Sequence, residues 1–288
     1  MRVLVLGASG MLGNAVFRVF SEDGRHEAWG TLRGEAARRY FPEQAQPRLL
    51  SGVDVLDHDA LIDVAAKVRP EVVINCVGLI KQLADAKDPL AALPINAMLP
   101  HRLARLCALI GARLIHVSTD CVFSGRQGMY RESDPSDAED LYGKSKFIGE
   151  LHDAPNALTL RTSIIGHELG SNHALIDWFL SQRGPVKGFA KAVFSGLPTA
   201  ELARVMRDVV LPHPELHGLY HVAAAPIAKL DLLRLVAAEY GKDIEIQPDD
   251  SLVIDRSLNA ERFTRATGYR APPWPELVAR MRAYYIPK

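Results

Sequence analysis

An α/β fold built on a doubly wound parallel sheet is the fold class this 288-residue sequence predicts, on two observations. Short apolar, β-branched runs alternate with segments of helical periodicity through about residue 165, the pattern of successive strand–helix–strand units. The first run is followed at once by a glycine-rich turn, Gly7-Ala8-Ser9-Gly10-Met11-Leu12-Gly13, that opens an amphipathic helix. Together they predict a Rossmann-type sheet. A smaller mixed α/β region follows, dividing the chain into a binding domain over 1–165 and a mainly substrate-side domain over 166–288, some of whose segments return to the core.

Residues 2–6 (RVLVL) read as a buried parallel strand, and apolar Leu12, Val16, Val19 and Phe20 recur at helical spacing behind the turn. Strands are expected at 27–32 and 48–53. Asp57 is placed to cap a helix running to about residue 67, with Pro70 beyond its end. A strand at 71–77 precedes a long helix from residue 93 or 94 to Gly111. A strand at 113–117, a helix at 141–151 and a strand at 158–162 complete the regular part. Beyond it, helices are expected at 173–182, 199–211, 227–240 and 273–284, with short strands at 218–222 and 244–247.

Composition narrows the function classes. Lys plus Arg and Asp plus Glu both number 34, so the formal net charge is zero. A nucleic-acid partner, which calls for a clustered basic excess, is not expected. No stretch approaches the roughly 18 uninterrupted apolar residues of a membrane span. The apolar run after Arg2 stops at Gly7, too soon for a secretory signal. Cys76, Cys107 and Cys121 are too few and too scattered for a disulfide framework or a zinc site, so a reducing cytoplasm is the natural setting. His101, His116, His152, His167, His173 and His221 form no H-x-x-x-H pair, and no metal site is expected.

The glycine turn suits a dinucleotide pyrophosphate. Gly7 permits the turn, Gly10 lets backbone approach the phosphates, and Gly13 lets the helix lie close to the sheet, with Ser9, Met11 and Leu12 along the same edge. The helix N-terminus adds free N–H groups and a positive dipole end. At the end of the second strand, where NAD enzymes usually carry an acid, the chain reads Gly30-Thr31-Leu32-Arg33. A guanidinium there suits a 2′-phosphate, so NADP(H) is expected as cofactor, with NAD(H) as the alternative.

The strand at 113–117 runs into Ser118-Thr119-Asp120, and Tyr142 precedes Lys146 by four residues on one helical face. A phenol normally titrates near pH ~10, too high for efficient proton transfer at neutrality, and a nearby ammonium lowers that value. A Ser or Thr hydroxyl at the strand end can hold a carbonyl against the phenol. The set matches hydride transfer between a nicotinamide and a carbonyl.

With these segments together the chain resembles the extended short-chain dehydrogenases/reductases, and among them the dTDP-4-dehydrorhamnose reductase family, over nearly its whole length. The likeness rests on GASGMLG, Asn75 in VINCVG, VSTDCVFSG, YGKSKFIGE, LRTSIIG, and DRSLNAERF with the late Trp274/Val278 helix. The resemblance implies NADPH-dependent reduction of the 4-keto group of a nucleotide-activated 6-deoxy sugar. Thr119 would polarise the carbonyl, with Ser118 in reserve, Tyr142 would be the general acid and Lys146 its partner. Asp54 and Val55 would lie at the adenine, Cys76, Val77 and Gly78 along the cofactor, and Thr162 to Ile165 near the nicotinamide. The chain departs from the family at Cys121, usually tyrosine, at residues 78–82, and across 166–197 including Trp178. Cys121, Trp178, Lys81 and Arg256 are therefore the substrate-side candidates, with Lys81 and Arg256 as diphosphate partners. Relatives of the family also imply two alternatives: an epimerase on the same scaffold, or a non-catalytic NADP-binding regulatory subunit. A dehydratase is disfavoured, because Thr119 is followed by Asp120-Cys121 rather than an Asp-Glu pair. A homodimer is compatible with all of these.

Overall fold

The computed structural model describes residues 1–22, 24–79 and 87–285. Seven parallel strands form its main sheet. They are β1 (Arg2–Leu6), β2 (Glu27–Leu32), β3 (Leu49–Ser51), β4 (Val72–Asn75), β5 (Arg113–Thr119), β6 (Ala157–Thr162) and, from late in the chain, Gly218–His221. The spatial order is β3-β2-β1-β4-β5-β6 and then 218–221. Alternate residues of each strand face opposite layers, as a pleated strand requires. Val3, Val5, Ile74 and Ile115 join one core cluster, and Leu4, Leu6, Val73 and Leu114 the other.

The order reverses between β1 and β4, and such a sheet opens a ligand crevice at the carboxyl ends of the strands on either side of the reversal. Helix α1 (Met11–Glu22) leaves β1 through the glycine turn. Helix α2 (His58–Val68) starts at Asp57, whose side chain accepts from the Asp59 and Ala60 N–H groups. The expected helix beginning at residue 93 or 94 instead starts at Pro89. Asp88 caps it by accepting from Leu90 N–H, and proline at the first position needs no N–H partner. This α3 (Pro89–Ala92) continues through a π-helical stretch, Leu93–Met98, into α4 (Leu99–Ile110), which ends at Gly111 with φ 71°. Helix α5 (Leu141–Ile148) is capped by Asp140, and it stops short of the expected residue 151.

The later part of the chain serves both layers. The helix at Thr199–Arg204 lies against α1, and Gly218–His221 extends the main sheet beside β6. A second small sheet joins Ile227–Ala228, Ala192–Phe194 and Ile254–Asp255, and Ile246–Asp249 pairs with Val186–Phe189. These two- to four-residue strands are too short for period-two patterning to reveal. Two 3-10 turns, Glu35–Tyr40 and Glu43–Arg48, lie where the sequence offers no periodicity. They are anchored by Phe41, whose ring meets Phe17 of α1 edge-on at 5.6 Å. Among the described residues no helix is long and apolar enough to cross a membrane.

Candidate active site

The crevice is closed on its floor by glycine. Gly7 has φ +79°, and a Cβ there would stand 2.8 Å from Val77 Cγ2, so the ends of β1 and β4 touch. A Cβ on Gly13 would fall 2.0 Å from the Gly7 carbonyl oxygen, whereas one on exposed Gly10 would meet nothing closer than that oxygen at 3.4 Å. Gly13 is thus fixed by packing, and Gly10 by the open approach above it. Gly7 N–H donates to Thr31 Oγ1 at 3.0 Å, tying the turn to β2. The first turn of α1 carries no acidic residue, so its dipole end stays unneutralised. Gly13→Ala would normally gain about 1 kcal/mol in a helix. Here the added methyl meets backbone, and overpacking costs about 1–3 kcal/mol or more. A lowered thermal unfolding midpoint by circular dichroism is the expected outcome.

The adenosine-side candidates flank this turn. Arg33 is exposed directly after β2 and has no hydrogen-bond or ion-pair partner among the described residues. Arg38, by contrast, is spent on structure, donating to Ser51 Oγ and to the carbonyls of Gln46 and Leu49. Asp54 is exposed and accepts from Leu56 N–H with one carboxylate oxygen, beside buried Val55. Ser9 and Met11 are half-buried on the turn, and Leu12 is buried beneath it. These positions fit a dinucleotide: a backbone cradle with no side chain above it, a free guanidinium and an exposed carboxylate at its far end.

The reactive candidates meet at the end of β5. Thr119 Oγ1 accepts from Cys121 N–H at 3.1 Å and donates to Asp120 Oδ1 at 3.2 Å. Tyr142 on α5 lies against the same group. Burial pushes its phenol well above the usual tyrosine range, Cys121, Asp120 and Asp140 add to the rise, and a hydrogen bond with Thr119 opposes it. Close approach of α5 depends on Gly143, where a Cβ would come 2.2 Å from the Cys121 carbonyl oxygen. Lys146 is buried and donates from Nζ to the Val117 carbonyl at 2.8 Å. Burial pushes it down to about 8, with Glu150 and then Cys76 pulling the other way. A Cβ on Gly78 would lie 3.9 Å from Lys146 Nζ, so the end of β4 borders the same pocket. Burial pushes the thiols of both Cys76 and Cys121 up to about 12.

Ser118 does not share the site. Strand alternation turns it to the opposite face from Thr119, where its hydroxyl donates to Glu150 Oε1 at 2.6 Å. It is therefore turned away from the face that carries Thr119. Thr162 sits beside Thr119 in the β5–β6 register and is buried, as is Ile165. Arg256 reaches the β5 end, donating from Nε to the Phe123 carbonyl at 2.8 Å and placing Nη1 3.7 Å from Cys121 Sγ. Trp178 stands half-exposed on the helix Leu175–Ser181, with no hydrogen bond or ring contact to this group among the described residues. Lys81 lies outside the described residues.

Sequence reasoning passed over two members. Asn96, in the π-helical stretch, is buried. Its Oδ1 accepts from Leu79 N–H at 3.0 Å, and its Nδ2 donates to the Leu79 carbonyl and to Ser145 Oγ, both at 3.2 Å. It binds the β4 edge to α5, and the only signal was an amide inside an apolar helix. Asp120 is buried against Thr119, Cys121 and Ser163. Burial raises its carboxyl, and the Arg256 charge opposes that rise.

Among curated proteins, the chain is 33% identical to methionine adenosyltransferase 2 subunit beta of Bos taurus over 171 residues. That match covers 58% of this chain and 48% of the bovine protein, about half its length. It is 25% identical to dTDP-4-dehydrorhamnose reductase of Aggregatibacter actinomycetemcomitans over 234 residues, 78% of this chain and 74% of that one. A solved structure described as a hypothetical dTDP-4-dehydrorhamnose reductase from Sulfolobus tokodaii superimposes with a TM-score of 0.76 at 26% identity, covering 95% and 98% of the two chains. The Bacillus anthracis dTDP-4-dehydrorhamnose reductase in complex with NADP shares the fold, with a TM-score of 0.78 at 21% identity over 99% of each chain. The family model described as the RmlD substrate binding domain matches residues 1–281, and the chain is a member of that family.

Proposed function

We propose that this chain is an NADPH-dependent reductase acting on the 4-keto group of a nucleotide-activated 6-deoxy sugar. The observation that carries the reading is the convergence of Thr119, Tyr142 and Lys146 beside the β1/β4 crevice, where the glycine turn would hold a dinucleotide. The name of the Aggregatibacter relative and the NADP complex of the Bacillus structure support the substrate class and the cofactor. The nicotinamide would supply hydride to the carbonyl carbon. Thr119 and the Tyr142 phenol hold the carbonyl oxygen between them. Tyr142 then gives its proton to that oxygen as the new C–H bond forms, leaving a phenolate that regains a proton from solvent. The Lys146 charge, held in place by Val117, lowers the cost of that phenolate. Residues 166–288 contribute most of the sugar side, and Arg33 holds the 2′-phosphate.

Purified protein mixed with NADPH and a panel of dTDP-, UDP- and GDP-linked 4-keto sugars should lose reduced-nicotinamide absorbance with at least one. Unchanged absorbance with all of them would defeat the reductase reading. Arg33→Ala should weaken NADPH about 10-fold or more, the worth of a charge-assisted contact, and leave NADH nearly unaffected by fluorescence titration. Equal losses for both cofactors would refute the assignment of Arg33. A second reading, a cofactor-binding regulatory subunit, draws on the methionine adenosyltransferase subunit relatives. A complete Thr119/Tyr142/Lys146 set weighs against it, since a binder that performs no chemistry has no use for a buried lysine one helical turn from a buried phenol.

A further inference from the structure

The loop after β5 is built to receive one late segment of the chain. Gly125 has φ +87°, and a Cβ there would stand 2.3 Å from Ile254 Cγ1. Gly128 has φ +74°, and a Cβ there would fall 2.4 Å from Asp255 Oδ2. Into this space Ile254–Arg256 is laid between two partners. Asp255 N–H donates to the Gly125 carbonyl at 2.7 Å, and Arg256 N–H donates to the Val193 carbonyl at 3.1 Å. Just beyond, Ser257 accepts from Met129 and Tyr130 N–H groups, and Leu258 N–H reaches Ser195 Oγ. The backbone carrying Arg256 is thus fixed on both sides before any ligand arrives.

Its side chain is placed with equal definition but left largely unused. Of the five guanidinium N–H donors, Nε takes the Phe123 carbonyl and Nη1 touches a thiol, a weak acceptor. The others have no partner among the described residues, although the side chain is half-buried. Cys121, whose thiol it touches, packs its backbone against α5 next to Tyr142, since a Cβ on Gly143 would come 2.2 Å from the Cys121 carbonyl oxygen, so the guanidinium borders the group around Thr119 and Tyr142. Buried Asp120 lies within electrostatic reach of the same guanidinium, whose charge opposes the rise of its carboxyl. In a nucleotide sugar the diphosphate hangs from the anomeric carbon, across the ring from a 4-keto group. A guanidinium beside Cys121 would therefore face the reacting end of a ring whose carbonyl is held by Thr119 and Tyr142, rather than the diphosphate for which its residue type first suggests it.

The geometry points to Arg256 as a substrate-specificity residue, donating hydrogen bonds to the hydroxyl beside the reacting carbonyl of a keto sugar. The assignment rests on the reductase reading above. A site with unpaired donors rejects a substrate lacking the matching oxygen, because those donors would then be desolvated without a partner.

The test compares two substrates that differ only in the 3-hydroxyl, the nucleotide-linked 4-keto-6-deoxy sugar and its 3-deoxy analogue, on wild-type enzyme, Arg256→Met and Arg256→Lys. Wild-type enzyme should prefer the hydroxylated substrate in kcat/KM by about 10–100-fold, the range of a hydrogen bond to a charged group. Arg256→Met should lose that preference by dropping on the hydroxylated substrate alone, mainly through KM. Arg256→Lys should recover part of it. NADPH affinity, measured by fluorescence titration, should be the same in all three proteins, which also certifies that the variants fold. If wild-type enzyme reduces both sugars equally, or Arg256→Met keeps the full preference, the assignment is overturned while the reductase reading stands. If NADPH binds but no keto sugar is reduced, the reductase reading and the assignment fall together.

Discussion

Tyr142→Phe is expected to lower kcat for keto-sugar reduction by about 10²–10⁴-fold, the usual worth of a positioned general acid, with NADPH affinity unchanged. The substitution keeps the ring and removes only the hydroxyl. The pH profile should carry a second signature. Burial holds Lys146 down to about 8, so if its ammonium is the group that supports the phenolate, as proposed, the reduction rate should fall as pH rises through that value. Lys146→Met should abolish that inflection together with the activity. Its stability should move the other way. The folded value lies below the ordinary 10.5, so below about 8 the folded state carries the full burial penalty of a charged lysine. Between about 8 and 10.5 the unfolded chain binds the proton that the folded chain has released, and stability rises with pH. Lys146→Met should therefore raise the unfolding midpoint at neutral pH, with the gain shrinking above pH 8. A lower midpoint at neutral pH would show that the hydrogen bond to Val117 outweighs the burial cost.

Breaking the ion pair beneath the site should have the largest effect on stability. Arg161 and Glu150 are fully buried, with Arg161 Nε 2.9 Å from Oε1 and Nη2 2.5 Å from Oε2. Ser118 donates to the same carboxylate, and Arg161 Nη1 donates to His221 Nε2 at 2.8 Å. His221 is held neutral for that role. Burial, then the Arg161 charge, pushes it down to about 3, and its Nδ1 faces the Tyr130 carbonyl at 3.0 Å. Arg161→Met leaves a carboxylate buried without its partner, which costs about 3–5 kcal/mol, a large share of the roughly 5–15 kcal/mol of a folded domain. Urea denaturation should show that loss, and the double variant with Glu150→Leu should recover part of it, since the pair is worth less than either uncompensated charge. A single variant within about 0.5 kcal/mol of wild type would mean that water or a rearranged neighbour takes over the carboxylate.

Much of this site was legible in the sequence. The turn from Gly7 to Gly13 followed from local chain geometry, and the shared face of Tyr142 and Lys146 from helical spacing. Ser118 shows a rule left unapplied: period-two alternation already forbids neighbours on β5 from facing the same ligand. Asn96 was hidden for a different reason. Its role lies in bonds to Leu79 and Ser145, 17 and 49 residues away, which no local pattern encodes. The Glu150–Arg161 pair spans 11 residues and left one trace, the single charged residue in the buried strand β6. Likewise, Glu35–Arg48 folds as 3-10 turns because Phe41 finds Phe17, a tertiary contact, and not because its own residues favour that shape.

The central claim, that the crevice performs hydride transfer and does more than bind a dinucleotide, is tested most directly by isotope. The enzyme is incubated with NADPH deuterated at the transferable position and with the 4-keto sugar that consumes it, and the sugar product is read by NMR. The account predicts deuterium bonded to the former carbonyl carbon in wild-type product, and no labelled product from Tyr142→Phe at matched times. Tight NADPH binding with no deuterium in any sugar would contradict it and leave a binding protein in its place.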